Sequence, residues 1–228
     1  MTRDIVATTP SERVRLRRKR ERGSHDRRVV DAILDEALVA HLGIVEDGVP
    51  IVTPTLHARQ GDVVYCHGSA ASRTLRALAT GTPACLTVSL VDGLVLARSA
   101  MHHSLNYRSA MVFGTARLLE DPAEQLAAAE AIVEHAARGR WREVRPPTAK
   151  ELKATAFLTL AIEECSAKAR TGPPVDDEQD HALGAWAGVI PLKLRAGRPE
   201  PDLRLRAGIG VPGYLERYER PSAGWPRR

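Results

Sequence analysis

The chain has 228 residues, 43% hydrophobic and 27% charged, which suits one soluble globular domain with a real core and some appendages. Its net charge of +5 is modest and clustered in "RVRLRRKRER" (13–22) and the "GWPRR" tail, and aromatics are only 4%, so the interleaved rings and reading motif of a nucleic-acid module are missing. No apolar run reaches the ~18 residues of a membrane span, no apolar segment follows the basic N-terminus as in a secretory signal, and Cys66, Cys85 and Cys165 are too far apart for a zinc pair and read as reduced, buried thiols of a cytoplasmic protein.

In chain order, residues 1–25 read as a basic N-terminal arm, solvated or packed on a partner subunit. Asp26 is a plausible N-cap, and Val29, Val30, Ile33 and Leu34 recur at helical spacing, which predicts a helix over about 27–36. Apolar runs broken by "EDG" and "RQGD" then predict antiparallel strands over 38–45, 50–58 and 62–67. "SRTLRALAT" (72–80) reads as a helix opened by Ser72 and closed by Gly81. "ACLTVSLVDGLVLARSA" predicts two strands about Asp92–Gly93, and "SAMVFGTARLLE" one more, with Met111 and Phe113 pointing inward. Asp121 and Pro122 open the strongest helix, "TAKELKAT" a shorter one, and "AFLTLAIEECSAKARTG" is a long β segment. "AWAGVIPLKL" is a late strand, and 193–228 is a weakly specified extension rich in Pro, Gly and Arg. The fold class is mainly β with helices (α+β): a six-stranded antiparallel barrel, which leaves no open sheet edge, with peripheral helices over 26–192.

Four constellations could carry chemistry. "YCHGSAASRTLRAL" ends a strand in small residues and opens a helix with Ser72 and Arg73, so amides, a hydroxyl and a guanidinium share one loop that Gly68 and Ser69 leave open to close approach. That arrangement suits a terminal phosphate, or is merely a capped helix. In "HHSLNYRSAMVFGTA" (102–116), Asn106 and Ser109 could satisfy a ring edge with donors and acceptors, and Arg108 a phosphate or ring carbonyls. His102 and His103, adjacent on a strand, would point to opposite faces and could not chelate one metal, so no metal site is assigned. In "SAKARTGPP", Ser166, Lys168 and Arg170 share a face, and the paired cations ask for an anion or an acidic partner helix. Trp186 is either packing or a platform over an aromatic ring. No Ser-His-Asp arrangement, nucleophile elbow or paired carboxylates stand out, which favours chemistry carried by a cofactor.

Taken together, "RGSHDRRVVDAILDEA", "VYCHGSAASRTLRAL", "DGLVLARSAMHHSLNYRSAMVFGTA", "ELKAT", "SAKARTGPP" and "WAGVIPL" resemble, in that order, the FMN-binding split-barrel superfamily of pyridoxamine 5′-phosphate oxidase. Within it the chain is most similar to the nitroimidazole-resistance (NimA-type) flavoproteins. The resemblance implies a homodimer with FMN at the subunit interface. It places His67, Gly68, Ser69, Ser72 and Arg73 around the cofactor, with Asn106, Tyr107, Arg108, Ser109, Lys168, Arg170 and Trp186 as further contacts. Where oxidase members carry Ser-Arg-Lys this chain has Ser72-Arg73-Thr74, one cation fewer, with Lys168 or Arg108 as possible replacements. The implied activity is FMN-dependent oxidoreduction from a nicotinamide nucleotide to a small electrophilic acceptor, nitroaromatics among them, with His102 or His103 as general acid. The oxidase's C-terminal substrate pattern is not recognisable. The rival readings are a haem or F420 binder on the same barrel, or a cofactor-free nucleic-acid-associated dimer using 13–22.

Overall fold

A computed structural model describes residues 11–221 of the chain. The predicted "GWPRR" segment and the first ten residues of the basic arm lie outside the described residues. The elements in order are β1 (Gly23–Ser24), α1 (Arg27–Glu36), β2 (Val39–Glu46), β3 (Val49–Gln60), β4 (Val63–Ser69), α2 (Arg73–Ala79), β5 (Pro83–Leu96), β6 (Ser104–Leu118), α3 (Pro122–Ala136), α4 (Ala149–Ala154), β7 (Thr155–Ala161), β8 (Glu164–Arg170), β9 (Gly188–Pro191) and α5 (Gly213–Glu216).

Six strands close a ring in the order β6, β7, β4, β3, β2, β5 and back to β6, all antiparallel. β8 continues outward from β6, β1 adds to β8, and β9 adds to the far half of β5. The β2–β3 hairpin turns through Asp47 and Gly48, both at positive φ (51° and 76°), the left-handed pair that matches strand twist. Inside the ring, Leu42, Ile44, Val64, Leu86, Val88, Val112, Leu158 and Leu160 pack with Val30, Ile33 and Leu34 of α1 and Leu78 of α2, which plug its ends. Each such side chain contributes about 1.5–3 kcal/mol on leaving water.

Capping explains the helices. Asp26 accepts from the Arg28 amide, Ser72 from Leu75 and Asp121 from Ala123, while Thr148 and Glu151 form a reciprocal capping box on α4.

Three expectations are corrected. Asp92–Gly93 is not a hairpin: β5 runs straight through it as a one-residue irregularity against β6. A Cβ on Gly93 would lie 3.0 Å from the Ile190 carbonyl oxygen, so this glycine permits the approach of β9 instead of making a turn. On β6 the inward residues are Asn106, Arg108, Ala110, Val112 and Ala116, whereas Met111 and Phe113 face out. The buried register with β5 sets that parity, and a one-residue offset in the reading reverses it. The 156–172 segment follows β6 along its length, but as β7 and β8 with a bulge at Ile162–Glu163 that shifts the register by one. Gly114 sits opposite the bulge, where a Cβ would meet the Ala161 carbonyl at 2.1 Å.

Over its described part the basic arm packs on its own barrel. β1 pairs with β8, Lys168 Nζ donates to the Arg18 carbonyl at 3.0 Å, and Arg13 lies over the Phe113 ring at 5.8 Å. Of the three thiols only Cys66 is fully buried, and burial pushes it up to about 12; Cys85 and Cys165 are half-buried, and none is paired. Among the described residues no helix is long and apolar enough to cross a membrane.

Candidate functional site

The loop between β4 and α2 keeps the geometry its sequence suggests. Ser72 N donates to the Ser69 carbonyl at 2.8 Å, Ala71 N to Ser69 Oγ at 3.2 Å, and Ala70 N to the Ala154 carbonyl at 3.2 Å, which ties the loop to α4. A Cβ on Gly68 would lie 2.8 Å from Leu75 Cδ1, so the glycine lets α2 fold back against its strand. Of the first-turn amides of α2, that of Leu75 is taken by Ser72 Oγ at 3.5 Å, at the positive end of the helix dipole. Arg73 leaves this turn 61% exposed and pairs with Glu46. Thr74, at the position of the family's lysine, is buried and bonds Thr53 Oγ1 at 3.1 Å.

One residue before Gly68, His67 faces the other way. Period-two alternation turns Val64 and Cys66 into the barrel and His67 out of it, toward α3, α4 and the segment between them. There His67 lines a cavity of about 460 Å³ with Ala129, Ile132 and Val133 of α3, Trp141 and Val144, Leu152 of α4, and Phe157 of β7. Phe157 stacks on its imidazole with ring centroids 6.0 Å apart and an interplanar angle of 21°. Its Nδ1 is buried and has no hydrogen-bond partner. Burial pushes His67 below the ordinary imidazole range, so the ring is neutral at pH 7 and keeps a lone pair. An apolar cavity with one neutral, uncommitted imidazole can accept a planar apolar ligand and donate to a metal at its centre. Arg145 and Glu151 form an ion pair (2.7 Å) that lines the same cavity.

The outer wall is hung from one carboxylate. Glu134 accepts from the Gly139 amide at 2.7 Å and the Trp141 amide at 2.8 Å, and Gly139 takes a positive φ of 93° to make that turn. None of Trp141, Val144, Arg145 or Phe157 was singled out from sequence. The only local signals were the α4 capping box and the aromatic scarcity that makes Trp141 and Phe157 stand out.

The cluster at 102–109 is put to other uses. Arg108 is 7% exposed and clamped between two carboxylates, bonding Asp92 at 2.9 and 2.7 Å and Glu36 with both terminal nitrogens. Those bonds hold its guanidinium above its usual range, so the assignment of Arg108 to a phosphate is replaced by a structural one. Asn106 is buried, takes Arg170 Nη1 at 2.5 Å on its oxygen and donates to the Gly172 carbonyl at 3.1 Å. Arg170 also donates to the Pro173 carbonyl at 2.8 Å. The cations of β8 are therefore met by carbonyls, not by an anion or an acidic helix. Tyr107 and Ser109 face out beside them, with Ser109 Oγ donating to the Lys168 carbonyl at 3.2 Å.

His102 and His103 lie in the turn before β6, not on a strand. His103 Nδ1 is 3.0 Å from the Ser99 carbonyl, and His102 Nδ1 lies 4.0 Å from Asp176. His102, Asp177 and Asp180 bring one ligand atom each to within 4.8 Å of one another, a grouping that sequence spacing hid. Trp186 is 67% exposed and leans over Gly188 instead of entering the core.

The sequence profile of the pyridoxamine 5′-phosphate oxidase family matches residues 26–169. The flavocytochrome Anf3 of Azotobacter vinelandii is 44% identical, covering 92% of this chain and 98% of its own, with a TM-score of 0.86. An FAD- and haem-binding protein of Mycobacterium smegmatis is 38% identical, covering 87% and 98%, with a TM-score of 0.82. A candidate 5-nitroimidazole antibiotic resistance protein of Bacteroides thetaiotaomicron VPI-5482 reaches 21% identity over 64% of this chain and 85% of its own, at a TM-score of 0.55, which speaks for the fold alone. No curated sequence matches the chain.

Proposed function

Because the chain belongs to the pyridoxamine 5′-phosphate oxidase family, we propose that it is a flavin- and haem-binding redox protein working as a homodimer. The observation that carries the haem half is His67: a neutral imidazole with a buried, uncommitted nitrogen, lining an apolar cavity of about 460 Å³. The relatives at 44% and 38% identity, described as a flavocytochrome and an FAD- and haem-binding protein, support it. His67 would hold the iron, Phe157 would fix the plane of the imidazole, and Ile132, Val133, Val144 and Leu152 would exclude water.

The flavin half rests on the neighbouring loop. Ser69, Ser72 and the first-turn amides of α2 would take a phosphate, with Arg73 released from Glu46 as its cation. The loop and His67 leave the same strand at adjacent positions, so the two sites are neighbours. When bound, a flavin accepts two electrons as hydride and passes them singly, which a haem can carry. Electrons are expected to enter from a nicotinamide nucleotide and leave to a small electrophilic acceptor. Val39, Val52, Leu56, Val91 and Met111 leave the outward sheet face apolar and exposed, as a face that meets a second copy would be.

The absorbance spectrum of protein purified after growth with a haem precursor tests the reading. A Soret band superposed on flavin absorbance is expected, with the Soret band lost and the flavin kept in His67→Ala. Protein that takes up flavin but no haem would return the reading to a simple flavoprotein. Chromatography of the released flavin separates FMN, expected from sequence, from FAD, and light scattering reads the dimer.

A further inference from the structure

The C-terminal end of α1 is closed in an unusual way. The helix has no basic residue in its last turn, and its final carbonyls are taken by side chains from three distant elements. His57 Nε2 of β3 donates to Leu34 O at 3.0 Å, and His135 Nε2 of α3 to Ala37 O at 2.7 Å. Arg220, 184 residues beyond Glu36, donates to the carbonyls of Asp35 (3.0 Å), Glu36 (3.0 and 3.2 Å) and Ala37 (3.2 Å), and to that of His135. A guanidinium there satisfies orphan acceptors and meets the negative end of the helix dipole.

The segment that delivers Arg220 also grips the outer wall of the His67 cavity. Tyr218 Oη donates to the Ala136 carbonyl at 2.6 Å, and Tyr214 Oη to Glu143 at 2.7 Å, beside Gly139. Its contacts span 135–143, a stretch that contains the lining residue Trp141 and is flanked by the lining residues Val133 and Val144. From these contacts we propose that residues 213–220 form a latch over the wall of the His67 cavity, with Arg220 as its pin, and that acid releases it. The gating role rests on the assignment of that cavity to haem; the latch itself does not.

The trigger follows from the hydrogen bonds. His57 and His135 lie with ring centroids 5.0 Å apart, and Arg220 Nη2 is 3.1 Å from His135 Nε2. With Nε2–H donating to a carbonyl, a second proton must go to Nδ1, and on His57 that atom is buried without an acceptor. The charged groups facing the pair are Arg220 from the latch, Arg59 from β3 and Asp35 from α1, with Asp35 already bound to Arg59 at 2.6 and 2.9 Å. Protonation therefore adds positive charge beside a guanidinium and forces it out.

Two measurements test the latch. Deuterium uptake over 213–220 reads docking, and the rate of haem transfer from the holoprotein to apomyoglobin reads gating. Arg220→Gln is expected to raise both at pH 7.5, the transfer rate about tenfold, the size of one lost charged hydrogen bond. Tyr218→Phe should give a smaller rise in both. Wild type at pH 4 should behave like Arg220→Gln, and His135→Gln should move that acid response, because His135 is one of the groups that hold His57 down. A protected segment in Arg220→Gln would overturn the pin, wild-type transfer from a freely exchanging segment would overturn the gate, and an unmoved acid response in His135→Gln would overturn the trigger. In protein that takes up no haem, the rate of diethylpyrocarbonate modification at His67 replaces transfer; faster modification in Arg220→Gln supports the gate and an equal rate overturns it.

Discussion

Two polar regions of this molecule look alike in sequence and differ in what their side chains are left to do. At 106–108 and on β8, the buried polar groups are spent on protein partners: Arg108 on two carboxylates, Asn106 on Arg170 and Gly172, Arg170 on carbonyls. Around His67 the balance is opposite, since an imidazole faces an apolar cavity with a nitrogen that nothing in the chain satisfies. A buried polar group without a partner costs free energy, and His67 shares that condition with His57, Arg98, His102 and Thr159; what sets His67 apart is the apolar cavity that it lines. The richer cluster holds the barrel together, and the sparser one lines the cavity proposed as the site.

That contrast can be broken from either side. Arg108→Met should be the most damaging change, about 3–5 kcal/mol in urea unfolding, because it removes the buried guanidinium that bridges Glu36 and Asp92. Acid comes next. His57 is fully buried and, through burial first and the neighbouring His135 second, is lowered to about 4. Above the ordinary value of 6.5 it is neutral folded or unfolded, so its contribution is intact there; stability falls by about 3 kcal/mol as pH drops from 6.5 to 4, which His57→Gln should flatten. Asn106→Leu should cost about 1–3 kcal/mol by removing one buried acceptor of Arg170. At the small end, Arg73→Ala should change stability by less than about 0.5 kcal/mol, since its ion pair is exposed, yet weaken flavin retention; unchanged flavin affinity would place the phosphate elsewhere.

Local signals carried the elements well. Asp26, Ser72 and Asp121 cap helices at the positions expected of them, because an N-cap is decided by a few neighbouring residues. The six-stranded ring was legible from turn spacing. The Asp92–Gly93 signal misled because a long partner strand and the approach of β9 overrode a dipeptide preference. The cavity was illegible for a different reason: α3 is Ala-rich, with Ala128, Ala129 and Ile132 buried, and its wall joins residues 67, 129–133, 141–147 and 157. Nor could a segment of Pro, Gly and Arg announce that Arg220 closes a helix that begins at residue 27.

β6 is shared along its length, gripped by β7 near one end and by β8 over the rest, with Gly114 against Ala161 at the changeover. Because no side chain fits there, the strand cannot slide by a residue to serve one neighbour without losing the other. The barrel and the outlying pair β8 and β1 are therefore expected to melt together, as a single calorimetric peak, and Gly114→Val to split or erase it.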